Sequence, residues 1–166
     1  MERQKRKNNR LEGFDYSSNG AYFITICTKD MKCVLSQIVP LRTNVGETCG
    51  LQLKIELSTF GMIIENEIKI LNNTYENANV IKYVIMPNHI HMIIVINDKG
   101  RPQVSPTVPR AIKQFKGAIT KKIGKSIWQT SYYDHIIRNE EDMYYHLQYI
   151  EENPKKWLLG KDKYYS

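Results

Sequence analysis

Hydrophobic and polar positions along the chain follow two periods, and these periods predict the order of the secondary-structure elements. Runs of β-branched and aromatic residues predict strands, and apolar residues spaced three and four apart predict helices. In chain order the prediction is strand 21–28, helix 59–72 after Ser58, strand 79–86, strand 89–97, helix 109–124, strand 127–137, and a last helix that begins after Asn139 and ends at Pro154.

This element order, β-α-β-β-α-β-α, predicts an α+β fold. The first six elements match the ferredoxin-like or RRM-like split βαβ plan, which is a four-stranded antiparallel sheet with helices on one face. The seventh element is an additional C-terminal helix. Strand 89–97 is apolar on both faces apart from its histidines, so we expect it in the middle of the sheet.

The segment 30–56 shows no clean period. Two weak strand-like pieces, Cys33 to Val39 and Leu51 to Ile55, are interpreted as a hairpin within an insertion. The predicted organisation is a basic N-terminal arm (1–20), a single domain (21–160) that contains the insertion, and a short C-terminal tail (161–166).

The chain of 166 residues is basic, with 24 Lys and Arg against 17 Asp and Glu and a formal net charge of +7. This excess favours a polyanionic partner, and nucleic acid is the commonest one. In the arm, Arg3, Arg6 and Arg10 are candidates to contact a phosphate backbone. A solvated tail without a partner is an equally good interpretation of the arm.

Composition argues against a membrane protein and against a disulfide-stabilised one. The longest purely apolar run is Met92 to Ile96, far below the roughly 20 residues of a membrane span. No apolar stretch follows the basic N-terminus, so we expect no secretory signal. The three cysteines are odd in number and form no Cys-x-x-Cys pair, which indicates reduced thiols in a cytoplasmic protein.

His89 and His91 are the first candidates for chemistry. Side chains two residues apart in a strand point to the same face, so these imidazoles project together from an otherwise apolar strand. Two imidazoles at this separation can bind one divalent ion. From the residues alone, a pair of core histidines satisfied by backbone groups is an equally good interpretation.

The last predicted helix carries a polar stripe beside its apolar one. At about 100° per residue, the stripe consists of Asp142, His146, Tyr149 and Asn153. Tyr149 can act as a nucleophile, although a tyrosine at a core edge is usually a packing residue. Asn153 also suits a helix end that has no chemistry.

Two more sets of residues are candidates for nucleic-acid contact. They are Arg110, Lys113, Lys116 and Lys121 on the second predicted helix, and Trp128 and Arg138 around the last strand. The helix cations suit phosphate contacts, with ordinary solvation as the alternative. Between Trp128 and Arg138, aromatic and polar residues interleave, a pattern that suits stacking on the bases of a single strand, although some of these rings have to pack the sheet.

Five segments together make the chain resemble the single-tyrosine HUH transposases and, within them, the REP-associated tyrosine transposases. They are Tyr-Phe-Ile-Thr-Ile-Cys-Thr (22–28), Val-Ile-Met-Pro-Asn-His-Ile-His-Met-Ile (84–93), Ile-Trp-Gln (127–129), Tyr-Asp-His-Ile-Ile-Arg-Asn-Glu-Glu-Asp (133–142) and Tyr-Ile-Glu-Glu-Asn-Pro-Lys-Lys-Trp (149–157). A His-hydrophobe-His triplet alone is a weak signal, but the five segments in this order and spacing are specific. The segment 30–56 matches no part of the pattern.

The resemblance implies that His89 and His91 bind a divalent metal ion, Mg²⁺ or Mn²⁺, and that Tyr149 is a covalent nucleophile. Asn153 falls where the family carries an amide residue near the metal. The implied substrate is single-stranded DNA with a hairpin (a REP-like palindrome), which is cut through a 5′-phosphotyrosine linkage and rejoined. The implied protein is bacterial, cytoplasmic and nucleoid-associated, has no membrane partner, and works as a monomer or a homodimer.

Two other functions remain open at this point. A non-catalytic RRM-like module would stack bases on sheet aromatics such as Tyr22 and Phe23, and it would bind nucleic acid without a metal ion. A hydrolytic metal-dependent nuclease would use water in place of Tyr149 as the attacking group.

Overall fold

The computed structural model describes residues 19–41, 52–97, 107–162 and 164. Its strands are β1 Gly20–Cys27, β2 Ser36–Leu41, β3 Gln52–Leu57, β4 Ala78–Ile85, β5 His89–Ile96 and β6 Tyr133–Ile137, and its helices are α1 Thr59–Thr74, α2 Val108–Ile123 and α3 Glu140–Leu158. The predicted N-terminal arm, with Arg3, Arg6 and Arg10, lies outside the described residues.

Four strands form one antiparallel sheet in the order β4-β5-β1-β6. The predicted α+β class and the four-stranded antiparallel sheet are confirmed, and β5 lies in the interior of the sheet as expected. The register places Thr25 of β1 opposite His91 of β5 on one side and opposite Tyr133 of β6 on the other. These three side chains therefore share one face of the sheet.

Alternation along the central strands divides the interior into two cores. On one face, Ile24 of β1 and Met92 of β5 pack among the apolar residues of α1 and α2. On the other face, Ile93 of β5 packs against Ile150 and Trp157 of α3. The first two helices cover one face of the sheet, and α3 covers the opposite face, to which His89 and His91 belong by their parity.

The predicted hairpin within the insertion is present. Strands β2 and β3 pair antiparallel, with Ile38 opposite Ile55, and both of these side chains pack on the α3 side of the sheet. The Ser36 hydroxyl donates to the carbonyl of Ile85 at 2.8 Å, and the Leu35 amide donates to the carbonyl of Pro87 at 2.9 Å. The hairpin is thereby attached to the turn that precedes His89.

The last strand is shorter than predicted. Strand 127–137 reduces to β6, Tyr133–Ile137, and Trp128 makes a single bridge to Thr28. The Lys116 ammonium of α2 donates to the carbonyls of Gln129, Thr130 and Ser131 at 2.7, 3.3 and 3.4 Å. The Lys116 side chain therefore hydrogen-bonds carbonyls that would pair with a neighbouring strand if the last strand were longer.

The predicted end of the last helix at Pro154 is wrong, because α3 continues to Leu158. A proline inside a helix removes one backbone hydrogen bond and strains the preceding turn. Burial of the Trp157 side chain in the core under α3 offsets this cost, since a buried aromatic ring is among the most stabilising groups available. The Gly160 amide then donates to the carbonyl of Trp157 at 2.9 Å and closes the helix.

Two expectations from composition concern thiols and membranes. Cys27 is buried and Cys33 is exposed, and neither forms a disulfide with a described residue. None of the helices in the described ranges is long and apolar enough to cross a membrane.

Gly61, in the first turn of α1, provides a stability test. A Cβ atom there would lie 2.2 Å from the carbonyl oxygen of Leu35, which also accepts hydrogen bonds from Ser58. We expect Gly61→Ala to lower the free energy of unfolding by about 1–3 kcal/mol, measured by urea denaturation. The matched control is Gly117→Ala on α2, where a Cβ meets nothing within 4 Å. It should raise stability by about 1 kcal/mol, and equal effects of the two changes would contradict this account.

Candidate active site

His89 and His91 lie side by side on β5, and both side chains are fully buried, with 0% exposed. Their ring centroids are 4.5 Å apart. The predicted placement of the two imidazoles on one face of an interior strand is therefore present. Two buried imidazoles need polar partners, because an unpaired buried polar group is costly.

Each imidazole is anchored through its Nδ1 atom. His89 Nδ1 lies 2.8 Å from Asn88 Oδ1, and His91 Nδ1 lies 2.8 Å from Thr25 Oγ1. The Asn88 amide nitrogen donates to the carbonyls of Met31 and Tyr164, so the oxygen of the amide is the atom that faces His89. An amide oxygen only accepts, so His89 carries its proton on Nδ1 and its lone pair on Nε2.

Burial lowers the pKa of His89 from its ordinary value of 6.5 to about 3, and the side chain of Asn153 opposes this shift. The cause is the loss of water around the charged form. At neutral pH the ring is uncharged, which is the state in which a histidine nitrogen binds a metal ion.

Helix α3 turns its polar stripe toward the histidine pair. Tyr149 is half-buried, and its ring centroid lies 5.2 Å from that of His91 and 5.8 Å from that of Phe23. One turn earlier, the ring of His146 lies 4.5 Å from that of Phe23. All of these groups come from one chain, so the tyrosine and the histidine pair meet without a second subunit.

The surroundings of Tyr149 hold its hydroxyl in the neutral form. Burial raises the pKa of Tyr149 to about 12, with smaller contributions from the charges of Asp162 and Tyr145, whereas a hydrogen bond with Asn153 lowers it. The Lys156 ammonium lies 5.0 Å from the centroid of the Tyr149 ring. Ionisation of this phenol at neutral pH therefore requires additional positive charge nearby.

Asn153 is fully buried and lies close to both His89 and Tyr149. Its amide nitrogen donates to Asp162 Oδ2 at 2.6 Å, which turns its Oδ1 atom away from that carboxylate. Asn153 Oδ1 and His89 Nε2 are buried, and neither makes a hydrogen bond of normal geometry to a described residue, although Asn153 is close enough to His89 to raise its pKa. A divalent ion can bind both an imidazole nitrogen and an amide oxygen, so these residues fit a metal site.

Four residues of the site escape the sequence analysis. They are Thr25, Asn88, Asp162 and Tyr164. The Tyr164 ring centroid lies 4.7 Å from that of His89, and burial raises the pKa of Tyr164 to about 12. Asn88 has a sequence signal, since a polar residue directly before a buried histidine is a ready hydrogen-bond partner. The other three depend on strand register or on how the chain returns after α3, and neither is visible in a local pattern.

A second cluster of ionisable groups lies beside the first. Among the described residues, His135, Asp142 and His146 are the only group of three whose ligand-type atoms lie within 4.8 Å of one another. Asp142 Oδ2 lies 2.9 Å from His135 Nε2 and also accepts from the Arg138 amide at 3.1 Å. The Asp142 carboxylate thus hydrogen-bonds the backbone just before α3 and also contacts an imidazole. Two imidazoles and a carboxylate are a donor set that can bind a cation.

The residues predicted to contact DNA fall into different environments. The Trp128 side chain is 5% exposed and packs in the core under α1 and α2, a position that does not favour the predicted contact with DNA. Lys116 binds three backbone carbonyls, which gives it an internal role. Arg110, Lys113 and Lys121 are exposed on α2, and Arg138 is exposed before α3.

Comparison with known proteins identifies relatives over most of the chain, although no protein-family model matches it. A Haemophilus influenzae protein described as uncharacterized is 30% identical and covers 92% of this chain and 89% of its own. A second protein of that organism, provisionally described as a REP-associated tyrosine transposase, is 25% identical over 86% of this chain and 74% of its own. A REP-associated tyrosine transposase of Escherichia coli is 32% identical over 45% of this chain and 42% of its own.

A solved structure agrees with the fold. It is that of a REP-associated tyrosine transposase bound to a REP hairpin, with a TM-score of 0.62 and 22% identity, covering 93% of this chain and 77% of that one. The order of the strands in the sheet, the histidine pair that faces α3 and the named relatives all agree with one family assignment. The chain belongs to the REP-associated tyrosine transposase family.

Proposed function

We propose that this protein cleaves and rejoins single-stranded DNA with Tyr149 as the covalent nucleophile and a divalent ion held by His89, His91 and Asn153. The observation that carries the proposal is the position of Tyr149, whose ring lies 5.2 Å from that of His91 in the same chain. Membership of a transposase family supports a DNA-processing enzyme, and the buried ligand atoms support a metal-dependent one.

The residues that would hold the ion are the two imidazoles, through Nε2, and the amide oxygen of Asn153. A bound Mg²⁺ or Mn²⁺ would polarise a scissile phosphate oxygen and neutralise the charge that builds on it. Asn88 and Thr25 would keep the imidazoles oriented, as residues behind metal ligands commonly do. Asp162 would orient the Asn153 amide in the same way.

In the proposed reaction, the Tyr149 oxygen forms a bond to phosphorus while the bond between phosphorus and the 3′ oxygen breaks. The products are a 5′-phosphotyrosine linkage and a free 3′-OH, and the phenolic proton is balanced by the proton taken up by the 3′ oxygen. A second 3′-OH reverses the step and rejoins DNA without an external energy source. The half-buried position of Tyr149 restricts water, which favours strand transfer over hydrolysis.

The proposed substrate is single-stranded DNA that carries a hairpin. The solved relative that is bound to a REP hairpin supports this class of DNA. Because Tyr149 and the histidine pair meet within one chain, we propose that a monomer is sufficient for cleavage.

The contacts on the sheet favour this function over a base-stacking module. Tyr22 is completely buried in the core under α1 and α2, and Phe23 packs against His91, His146 and Tyr149. Tyr22 therefore has no open face on which a base could stack, as an RRM-like mode of binding requires, and Phe23 is partly buried by its contacts with three other rings.

A covalent-trapping experiment tests the nucleophile. Labelled single-stranded hairpin DNA is incubated with protein and Mn²⁺, and a denaturing gel reveals any protein–DNA adduct. We expect an adduct with the wild-type protein and a loss of at least about 10³-fold in Tyr149→Phe, because the attacking oxygen is removed. Tyr144→Phe is the matched control, since Tyr144 is on the same helix but 68% exposed, and it should retain the adduct. DNA cleavage that persists in Tyr149→Phe would indicate the hydrolytic nuclease.

A thermal-shift experiment tests the metal ligands. Mn²⁺ at about 100 times its dissociation constant should stabilise the wild type by about 2.7 kcal/mol, and the stabilisation should disappear in His89→Gln and Asn153→Ala. His135→Ala is the control, because His135 belongs to the second cluster. If His135→Ala abolishes the shift and His89→Gln retains it, the ion binds at the second cluster and the proposed ligands are wrong.

The low pKa of His89 predicts how stability depends on pH in the absence of metal. Below pH 6.5 the unfolded chain takes up a proton at His89 that the folded chain excludes until about pH 3. Over this range His89 should contribute a fall in the free energy of unfolding of about 1.4 kcal/mol per pH unit. Urea denaturation in EDTA should show this loss as pH decreases, and His89→Gln should have a shallower dependence than the wild type. Equal slopes would show that His89 has the same pKa in the folded and the unfolded chain, contrary to this account.

A further inference from the structure

The solvent-facing side of α2 differs in charge from every other helical surface that the structure describes. The helix, Val108–Ile123, contains five cations and no acidic residue. Lys116 donates hydrogen bonds to the carbonyls of residues 129–131, and Lys122 forms an ion pair with Glu67 of α1. The other three cations are Arg110, Lys113 and Lys121, which are exposed and make no ion pair with a described residue.

The other two helices show what an ordinary solvated surface looks like in this protein. On α1, Lys69 pairs with Glu65 at 3.2 Å, and on α3, Lys156 pairs with Glu152 at 3.0 Å. Such pairs one turn apart are the usual way in which an exposed helix balances its charges. The outer face of α2 has no counterpart to them, so its positive charge is left for an external anion.

Gly117 lies at the centre of this face. It is two residues from both Phe115 and Ile119, which is about 200° around the helix from these buried positions. A Cβ atom there would meet nothing within 4 Å, so no contact inside the protein requires a glycine. A glycine in an exposed helix interior costs stability relative to alanine. Close approach of another molecule to the helix backbone is a reason for a glycine at this position.

We propose that the outer face of α2 is the docking surface for the double-stranded stem of the DNA hairpin, and that a phosphate strand crosses the helix at Gly117. This inference rests on the proposed function, because the hairpin is the substrate proposed there. Lys113 and Lys121 flank Gly117 by four residues on either side, about 6 Å of helix rise in each direction. Both ammonium groups therefore reach a strand that lies across the glycine.

The chemistry of the face favours a duplex over a single strand. Proteins hold single strands largely by stacking bases on aromatic rings. The exposed residues of α2, which are Arg110, Lys113, Gln114, Gly117, Lys121 and Lys122, include no aromatic side chain. Cations on a rigid helix instead suit the regular phosphate backbone of paired DNA, which positions the substrate without reading its bases.

The fold provides a route from this surface to the histidine pair on the other side of the sheet. Lys116 ties α2 to the segment that enters β6, and β6 is an edge strand. Tyr133 of β6 is 48% exposed and lies in one cross-strand row with Thr25 and His91. Adjacent strands are about 4.8 Å apart, so the row spans about 10 Å. A single-stranded flank that leaves the stem at α2 can pass this edge and reach the site after a few nucleotides.

Binding measurements in EDTA test the docking surface separately from cleavage. Fluorescence anisotropy would compare a labelled hairpin with an unstructured strand of equal length, over a range of salt concentrations. We expect the double change Lys113→Gln and Lys121→Gln to weaken hairpin binding at least tenfold. It should also reduce the slope of log Kd against log salt by about 2, because each phosphate contact contributes about 0.9. Lys69→Gln on α1 also removes the charge of an exposed lysine and should bind as the wild type does.

Gly117 gives the sharper test, because its two effects have opposite signs. Gly117→Ala and Gly117→Leu should melt at a higher temperature than the wild type, since both replace glycine in a helix. Both should nevertheless bind the hairpin more weakly, Gly117→Leu by at least tenfold, while binding of the unstructured strand changes less than twofold. Wild-type affinity for the hairpin in Gly117→Leu, or an unchanged salt slope in the lysine variant, would overturn the proposal. So would a failure of the wild type to bind the hairpin.

The two proposals fail in different ways. If wild type binds the hairpin through α2 but forms no covalent adduct, the docking surface stands and the tyrosine mechanism is wrong. If wild type forms the adduct and the α2 variants bind and react as well as it does, the mechanism stands and the docking surface is wrong.

Discussion

The burial of two imidazole rings on β5 is the constraint on which the arrangement of the site depends. Helices cover both faces of this strand, so His89 and His91 have no access to water. Burial keeps His89 neutral, and Asn88 and Thr25 take up the Nδ1 edges of the two rings. A buried pair held in this way is costly to maintain for packing alone. The same features give two imidazole nitrogens with a fixed orientation.

Helix α3 places further polar side chains beside this buried histidine pair. It brings a hydroxyl, at Tyr149, and an amide oxygen, at Asn153, to the histidines from one rigid element. The helix runs on past Pro154 because Trp157 is buried at its end. The chain that follows then returns to the site, where Asp162 holds the Asn153 amide and Tyr164 packs on His89. Tyr149, Asn153 and the two histidines are therefore brought together by packing within one chain.

The two faces of the sheet differ in the side chains that they carry. One face carries the polar groups of the site under α3, and the other carries the apolar core under α1 and α2. The outward side of α2 lies on the opposite side of the sheet from the histidine pair and bears cations around an exposed glycine. This division follows from strand alternation, since each central strand supplies one set of side chains to each face.

The sequence alone predicts the fold class, the order of the elements and the side-by-side placement of the two histidines. These features depend on periods of two and of about 3.6 residues, which are local. It also placed Tyr149 and Asn153 on one helical stripe, because residues four apart are neighbours on a helix. Local patterns do not predict the end of α3, because the burial of Trp157 that offsets the cost of Pro154 is a tertiary contact. They also predict too long a last strand, because the contacts of Lys116 with residues 129–131 join α2 to that segment.

Which residues meet across the chain depends on how the strands and helices are arranged in the folded protein. Thr25 reaches His91 through strand register, and Asp162 reaches Asn153 through the return of the chain after α3. The burial of Trp128 in the core likewise depends on the packing of α1 and α2 against the sheet. Such contacts join residues far apart in sequence, and the direction in which a side chain is buried depends on the packing of whole elements. No local pattern contains that information, so it appears only when the sheet and its three helices are assembled.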